Sequence, residues 1–169
     1  MGRGIGARRE SRAVLMASVL CAAFAFPADA QQSTDDAAAV LGVAEAALEA
    51  ISVEDWVALT DLMIDEALIL AATENDGRHG YQARTREQER NGPDDVDILE
   101  RGFDPDVRVA GNVGMVWFPY DLYVNEQWSH CGVDIFTVVR TEAGWRIALL
   151  AYSVEQPPAC SPHPDGDLR

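Results

Sequence analysis

The chain's second half closes on one long hairpin, and this feature constrains the fold most. His130 to Arg140 and Trp145 to Tyr152 are strand-like runs flanking the short turn Thr141-Glu142-Ala143-Gly144. Both runs are rich in Val, Ile, Phe and Leu, so they need a sheet with something packed against it. One run also places His130, Gly132, Asp134, Phe136 and Val138 on a single face, because successive strand side chains alternate. Polar groups set into an otherwise apolar sheet face suit a pocket wall better than a sealed core.

The other strands and helices follow from pattern and turn chemistry. Thr34-Asp35 is an N-cap signal before a helix over Asp36 to Ala50, with Val40, Val43, Ala44, Ala47, Leu48 and Ile51 on one stripe. Ser52-Val53-Glu54-Asp55 resembles a capping box and predicts a second helix from Ser52, burying Trp56, Leu59, Leu62 and Met63. Ala67 to Thr73 reads as a short strand ended by Asn75-Asp76-Gly77. Tyr81 to Arg90 reads as a charged surface helix stopped by Asn91-Gly92-Pro93. From there the pattern is β: Val96 to Phe103, Val107 to Ala110, Gly114 to Val124, Ser129 to Arg140 and Trp145 to Val154. Gly111-Asn112 and Asn125-Glu126 supply turns. Helices followed by a run of antiparallel strands predict an α+β fold, with N-terminal helices packed on one face of a curved antiparallel sheet.

Residues 1–30 read as a cleaved secretory signal rather than part of the fold. Arg3, Arg8, Arg9 and Arg12 form a basic start, Ala13 to Phe26 is apolar, and Ala28-Asp29-Ala30 is an A-x-A cleavage site before Gln31. Arg8-Arg9 invites a twin-arginine reading, but Ser11 stands where that signal wants a bulky apolar residue. Residues 31–155 then form one domain and 156–169 a Pro-rich acidic tail, expected to be loosely ordered. The expected address is periplasmic or secreted.

After cleavage 26 acidic residues face 9 arginines and no lysine, a formal charge of −17. That field repels nucleic acid and anionic lipid head groups, so neither nucleic acid nor membrane is an expected partner. The same charge serves solubility outside the cytoplasm. Two cysteines remain, Cys131 and Cys160, and in an oxidising compartment an even count argues for a disulfide. A metal site built with His130 and His163 is the rival, but the spacing fits no zinc pattern. No phosphate-binding glycine loop or nucleophile elbow is present, and no cofactor is expected.

Hairpin register decides which side chains meet. If Arg140 and Trp145 close the last turn, Phe136 faces Leu149 and Val138 faces Ile147. A two-residue turn at Asn125-Glu126 sets Asp121 opposite His130 and Trp117 opposite Asp134. A one-residue slip, of the kind Pro119 could impose, brings Tyr120 and Leu122 to that face instead. The expected pocket wall is therefore His130, Asp134 and Trp117 with either Asp121 or Tyr120. Val133, Ile135, Val139, Ala148, Leu150 and Tyr152 make a second apolar face that needs a cover.

Gly111-Asn112, Trp117-Phe118-Pro119-Tyr120, Tyr123, Ser129 to Asp134 with Phe136, and Gly144-Trp145-Arg146-Ile147 resemble the nuclear transport factor 2-like superfamily. Within it the chain is similar to exported bacterial members called SnoaL-like or lumazine-binding. The likeness runs from about Asp36 to Val154 and is specific chiefly in the C-terminal hairpin. It implies a cone-shaped, cystatin-like fold whose helices and bent sheet enclose a cavity open at one end. It also implies a homodimer through the convex sheet face. Members of that superfamily include isomerases, dehydratases, cyclases and plain binding modules, so the fold leaves function open.

Three functions remain on the sequence. The cone could bind a small, largely apolar molecule through Trp117, Tyr120, Asp121, His130 and Asp134. His130 and Asp134 could act as the catalytic acid/base pair of a cofactor-free isomerase, dehydratase or cyclase, aided by a tyrosine (Tyr120, Tyr123 or Tyr81). Alternatively they satisfy each other's hydrogen bonds in a non-catalytic dimeric scaffold. Trp145 is expected in the core and Trp128 at a turn. Arg84, Arg86 and Arg90 could steer an anion, or pair with Glu87 and Glu89.

Overall fold

A computed structural model describes residues 1–2, 28–93, 96–156, 158–160 and 162–166. The basic and apolar stretch of the expected signal lies outside these residues. Ala28 to Ala30 open the first helix.

Helix α1 (Ala28–Ser52) is longer than its predicted span, because nothing between Ala28 and Thr34 breaks a helix. Its stripe of Val40, Ala44, Ala47 and Leu48 is buried against the sheet. Two glycines on that sheet permit the approach. A Cβ on Gly114 would come within 2.7 Å of Val40, and one on Gly102 within 2.6 Å of Leu48. Helix α2 (Trp56–Asp61) is capped by Asp55, whose carboxylate accepts from the Ala58 N–H at 2.8 Å. The predicted cap, Ser52, instead ends α1, and its hydroxyl exchanges hydrogen bonds with the Glu100 backbone on a later strand.

Strands β1 (Met63–Asn75) and β2 (Arg78–Thr85) form a hairpin around Asp76 and Gly77, both at positive φ. The first half of the helix expected over Tyr81 to Arg90 is thus strand. Only α3 (Arg86–Arg90) is helical, started by a Thr85–Gln88 capping box. Pairing with β1 overrides the weak helical pattern of Tyr81 to Thr85. The arginines of this region are bound internally: Arg84 to Glu89, Arg86 to Asp65 and the Thr60 carbonyl, Arg90 to Asp61 and the Thr60 hydroxyl.

The remaining strands are β3 (Ile98–Gly102), β4 (Asp106–Ala110), β5 (Val113–Val124), β6 (Gln127–Thr141) and β7 (Gly144–Val154). They complete a seven-stranded sheet of order β2-β1-β7-β6-β5-β3, with β4 also on β5. All pairs are antiparallel except β1 with β7, which are parallel. Helices and inner sheet face enclose a core of Leu59, Ile69, Val116, Phe118, Phe136, Val138, Trp145, Ile147 and Leu150. Phe118 and Phe136 meet edge to face at 6.4 Å. Arg140 lies over the Trp145 ring at 4.5 Å and pairs with Asp36. Among the described residues no helix is long and apolar enough to cross a membrane.

Two bulges correct the predicted register. In β5–β6 the pairing slips between Tyr123↔Trp128 and Leu122↔His130, leaving Ser129 as the extra residue. In β6–β7 it slips between Val138↔Ile147 and Thr137↔Leu149, leaving Ala148 over. Each extra residue reverses the faces of everything beyond it. Phe136 therefore pairs with Leu150, and Leu150 and Tyr152 turn inward with Asp134. The outer apolar face keeps Val133, Ile135 and Val139, and gains Leu149, Ala151, Leu68 and Leu70.

The described residues of the tail are fastened to the sheet. Cys131 and Cys160 form a disulfide with Cα atoms 6.0 Å apart. Glu155 pairs with Cys131 through two backbone hydrogen bonds and carries the chain back across the end of β6. Beyond the disulfide, the His163 N–H donates to Asp121 at 2.9 Å and the Gly166 carbonyl accepts from Arg101 at 3.0 Å. The His163 ring meets Phe103 edge to face at 5.3 Å.

Candidate functional site

The inner sheet face is sealed by α1 along most of its length, but not where α1 ends and the chain turns into α2. There a cavity of about 160 Å³ lies between the sheet and the Ile51–Trp56 turn. Its wall includes Glu100 from β3, Tyr120 and Leu122 from β5, His130 and Asp134 from β6, and Leu150 and Tyr152 from β7. Trp56 covers one side, held by its Nε1–H donating to the Pro93 carbonyl at 2.7 Å. Arg84 and Glu89 stand at the rim as an ion pair, Nε to Oε2 at 2.6 Å.

The bulge at Ser129 decides which expected residues reach this cavity. His130, Asp134 and Tyr120 do, the last as the alternative register required. Trp117 and Asp121 do not, since the slip turns the odd residues of β5 to the outer face. Trp117 is 42% exposed there. Asp121 is fully buried on that face, clamped by Arg101 at 2.9 and 2.6 Å and roofed by the tail. It is a fastening point for the C-terminus.

Nor do His130 and Asp134 pair with each other. The His130 ring shares a hydrogen bond with the Ser129 hydroxyl at 3.0 Å and lies edge-on to Tyr120 at 5.8 Å. Burial pulls its pKa down and favours the neutral ring. Tyr120 is fully buried and donates to the Ser153 carbonyl at 2.8 Å. Desolvation, and then the negative charge of Asp134 and Glu100, hold its hydroxyl protonated.

Asp134 has a different partner, Glu100, which residue pattern did not single out. Burial, Glu100's charge and the hydrogen bond between them push the Asp134 carboxyl well up. Burial likewise raises Glu100, while the bond from Asp134 works the other way and favours Glu100 as the carboxylate. Two neighbouring buried carboxyls do not both ionise readily, so the pair tends to keep a shared proton. Asp134 Oδ2 is buried with no hydrogen-bond partner. A signal for Glu100 did exist: Ile98, Glu100 and Gly102 share one strand face, the same polar-among-apolar pattern that marked His130 and Asp134.

The chemistry available is proton donation and acceptance by a desolvated carboxyl pair beside neutral His130, within aromatic walls. Among the described residues no three His, Cys, Asp or Glu side chains gather so as to hold a metal ion.

No family model and no curated protein matches the sequence. Solved structures match the fold. A conserved protein from Planctomyces limnophilus superposes with TM-score 0.58 at 19% identity, over 72% of this chain and 97% of that one. A ketosteroid isomerase-like protein from Erwinia carotovora atroseptica gives 0.54 at 15% identity, over 73% and 98%. A candidate dehydratase of the nuclear transport factor 2-like family from Streptomyces avermitilis gives 0.53 at 17% identity, over 72% and 96%. At these identities the likeness is one of architecture. Helices first, then a bent and mostly antiparallel sheet closed by the long hairpin: this chain has the nuclear transport factor 2-like fold.

Proposed function

We propose that the cavity binds a small, largely apolar molecule carrying one or two polar groups, and that binding is its primary role. The observation that carries this is Asp134, a buried carboxyl with one oxygen unpartnered on the wall of a cavity lined mainly by apolar and aromatic side chains. An unsatisfied buried polar group costs about 1–3 kcal/mol. A group kept at such a cost is better explained by what it binds than by what it stabilises. Binding pockets for drug-sized ligands run to about 300–1,000 Å³, so a 160 Å³ cavity suits a single ring or short chain.

Trp56 is the optical reporter, because it lines the cavity. A bound ligand should change its fluorescence and raise the melting temperature. Asp134→Asn and His130→Ala should abolish both responses while melting within a few degrees of wild type. If both variants unfold and no library compound shifts the wild-type melt, the cavity is only architecture and the scaffold reading replaces this one.

The shared proton supports a second reading, a cofactor-free enzyme abstracting or donating a proton beside a carbonyl. The acid/base pair would then be Glu100 and Asp134 rather than His130 and Asp134. The names of two fold neighbours, ketosteroid isomerase-like and dehydratase, agree with that chemistry without assigning it here.

The setting we propose is extracytoplasmic, with cleavage after Ala30. It rests on the basic-then-apolar start and on a disulfide, which persists in oxidising compartments. We propose further that the outer apolar face of Leu70, Val133, Ile135, Ala151 and Trp117 is covered by a second copy of the chain.

A further inference from the structure

The groups facing the cavity divide unevenly into donors and acceptors. Arg84, the one arginine on its wall, is held by Glu89 through Nε at 2.6 Å and Nη2 at 3.3 Å. It also points at the Tyr152 hydroxyl, at 3.4 Å. Tyr120 gives its proton to Ser153, and the His130 ring is engaged by Ser129. Against these stand Glu100 and Asp134, with no cation beside them among the described lining residues and one Asp134 oxygen unpartnered. The pair has a free acceptor, and Arg84, the arginine among the described lining residues, is held by Glu89 and not by the pair.

We propose that the ligand is a small amine, its ammonium group seated against Glu100 and Asp134 and its hydrocarbon body against Trp56, Tyr152 and Ile69. This names the ligand class for the binding reading above and rests on it. An ammonium carries donors only, which is what an unpartnered carboxylate oxygen requires. It brings the positive charge that buried carboxylates need in order to ionise. Aromatic faces on the wall add cation–π attraction. The chain's formal charge of −15 draws cations toward the protein and repels anions.

An alcohol or ketone could still accept from the Tyr152 hydroxyl or the second His130 ring nitrogen, but it brings no charge to the carboxyls. A carboxylate would meet like charge. Entry of an ammonium should displace the shared proton, leaving two carboxylates around one cation. Binding then releases up to one proton to the buffer. Arg84, Glu89, His130, Tyr120 and Tyr152 also face the pair. Their hydrogen bonds persist with the cation in place, so the released proton comes from the carboxyls.

The test is calorimetric titration of the whole protein with benzylamine, benzyl alcohol and benzoate near neutral pH, in two buffers of different ionisation enthalpy. Benzylamine should bind at least about tenfold tighter than benzyl alcohol, a difference of roughly 1.4 kcal/mol. Benzoate should not bind. The benzylamine heats should differ between buffers in the sense of proton release. Glu100→Gln and Asp134→Asn should each weaken benzylamine about tenfold or more, and Glu142→Gln in the exposed β6–β7 turn should not. If benzyl alcohol binds as well as benzylamine, or benzylamine binds with proton uptake, the amine inference fails while small-molecule binding survives. If none of the three binds but other apolar compounds shift the melt, the inference fails in the same way. If no compound of any class binds, both fall. The wild-type comparison needs no variant, so a variant that fails to fold does not rescue the inference.

Discussion

Replacing Glu100 by glutamine should make the protein more stable at mildly alkaline pH and less sensitive there to further change in pH. The reasoning starts from direction: folding raises the pKa of both carboxyls, chiefly by burial. Below about pH 4 the folded and unfolded chains both hold these protons, and the pair costs nothing. As pH rises the unfolded chain sheds its protons first, so stability drains away until the folded pKa is passed. For Glu100 that interval runs from 4.5 to about 7. At about 1.4 kcal/mol for each pH unit, the loss is on the order of 3 kcal/mol. The two carboxyls share one proton, so their losses are not summed. For a domain of this size that corresponds to about 5–10 °C in the melting midpoint. The assay is thermal unfolding followed by circular dichroism from pH 4 to 8.5, for wild type, Glu100→Gln and the exposed control Glu142→Gln. The general repulsion of an acidic chain depresses all three with rising pH, so the difference from the control isolates the pair. Wild type and Glu142→Gln should fall in parallel, and Glu100→Gln should fall less, crossing above them near neutrality. Parallel curves for all three, or a Glu100→Gln midpoint below wild type at pH 8, would refute the shared proton.

The Cys131–Cys160 bridge closes a loop with a sequence separation of 29. Reducing it, or replacing both cysteines by serine, should lower stability by roughly 3–4 kcal/mol in the chain-entropy account. Thiol titration of the denatured, unreduced protein should find neither cysteine reactive. Ile135→Asp puts a charge on the outer apolar face and should turn a dimer into a monomer by light scattering without lowering the midpoint by more than a few degrees. A wild type already monomeric at micromolar concentration would remove the reason for a second copy.

Turn positions were legible where the turn residues impose a backbone conformation, although the strand after Asp76-Gly77 was expected as a helix. Asp76-Gly77 and Asn125-Glu126 all sit at positive φ, and each closes a two-residue turn where the sequence places one. Strand identity from β3 onward was legible too, because alternation survives a bulge. Face assignment was not. A bulge adds one residue without altering composition, and neither Ser129 nor Ala148 advertises itself. Hence Trp117, and Asp121 as the alternative to Tyr120, were expected on the cavity wall and lie outside it, while Leu150 was expected outside and lies in the core. The region Tyr81 to Thr85 failed for another reason: edge pairing with β1 fixes its conformation, and the segment's own residue preferences do not report that pairing.

The site itself was half legible, and the division has a physical cause. His130 and Asp134 stand on one strand, two positions that alternation alone can group. Glu100 stands on β3, separated from β6 by β5, and only the bend of the sheet brings its carboxyl to Asp134. The Ser129 bulge is part of the same arrangement. It turns Tyr120 and Leu122 inward beside His130 and sends Asp121 outward to be neutralised by Arg101. Without that slip Asp121, not Tyr120, would face the cavity, and a third carboxyl would join Glu100 and Asp134. The bulge thus spares the cavity one acid and gives it a ring in exchange. The disulfide and the tail's hydrogen bond to Asp121 hold the far face of those strands, so the fastening outside and the register inside depend on one extra residue.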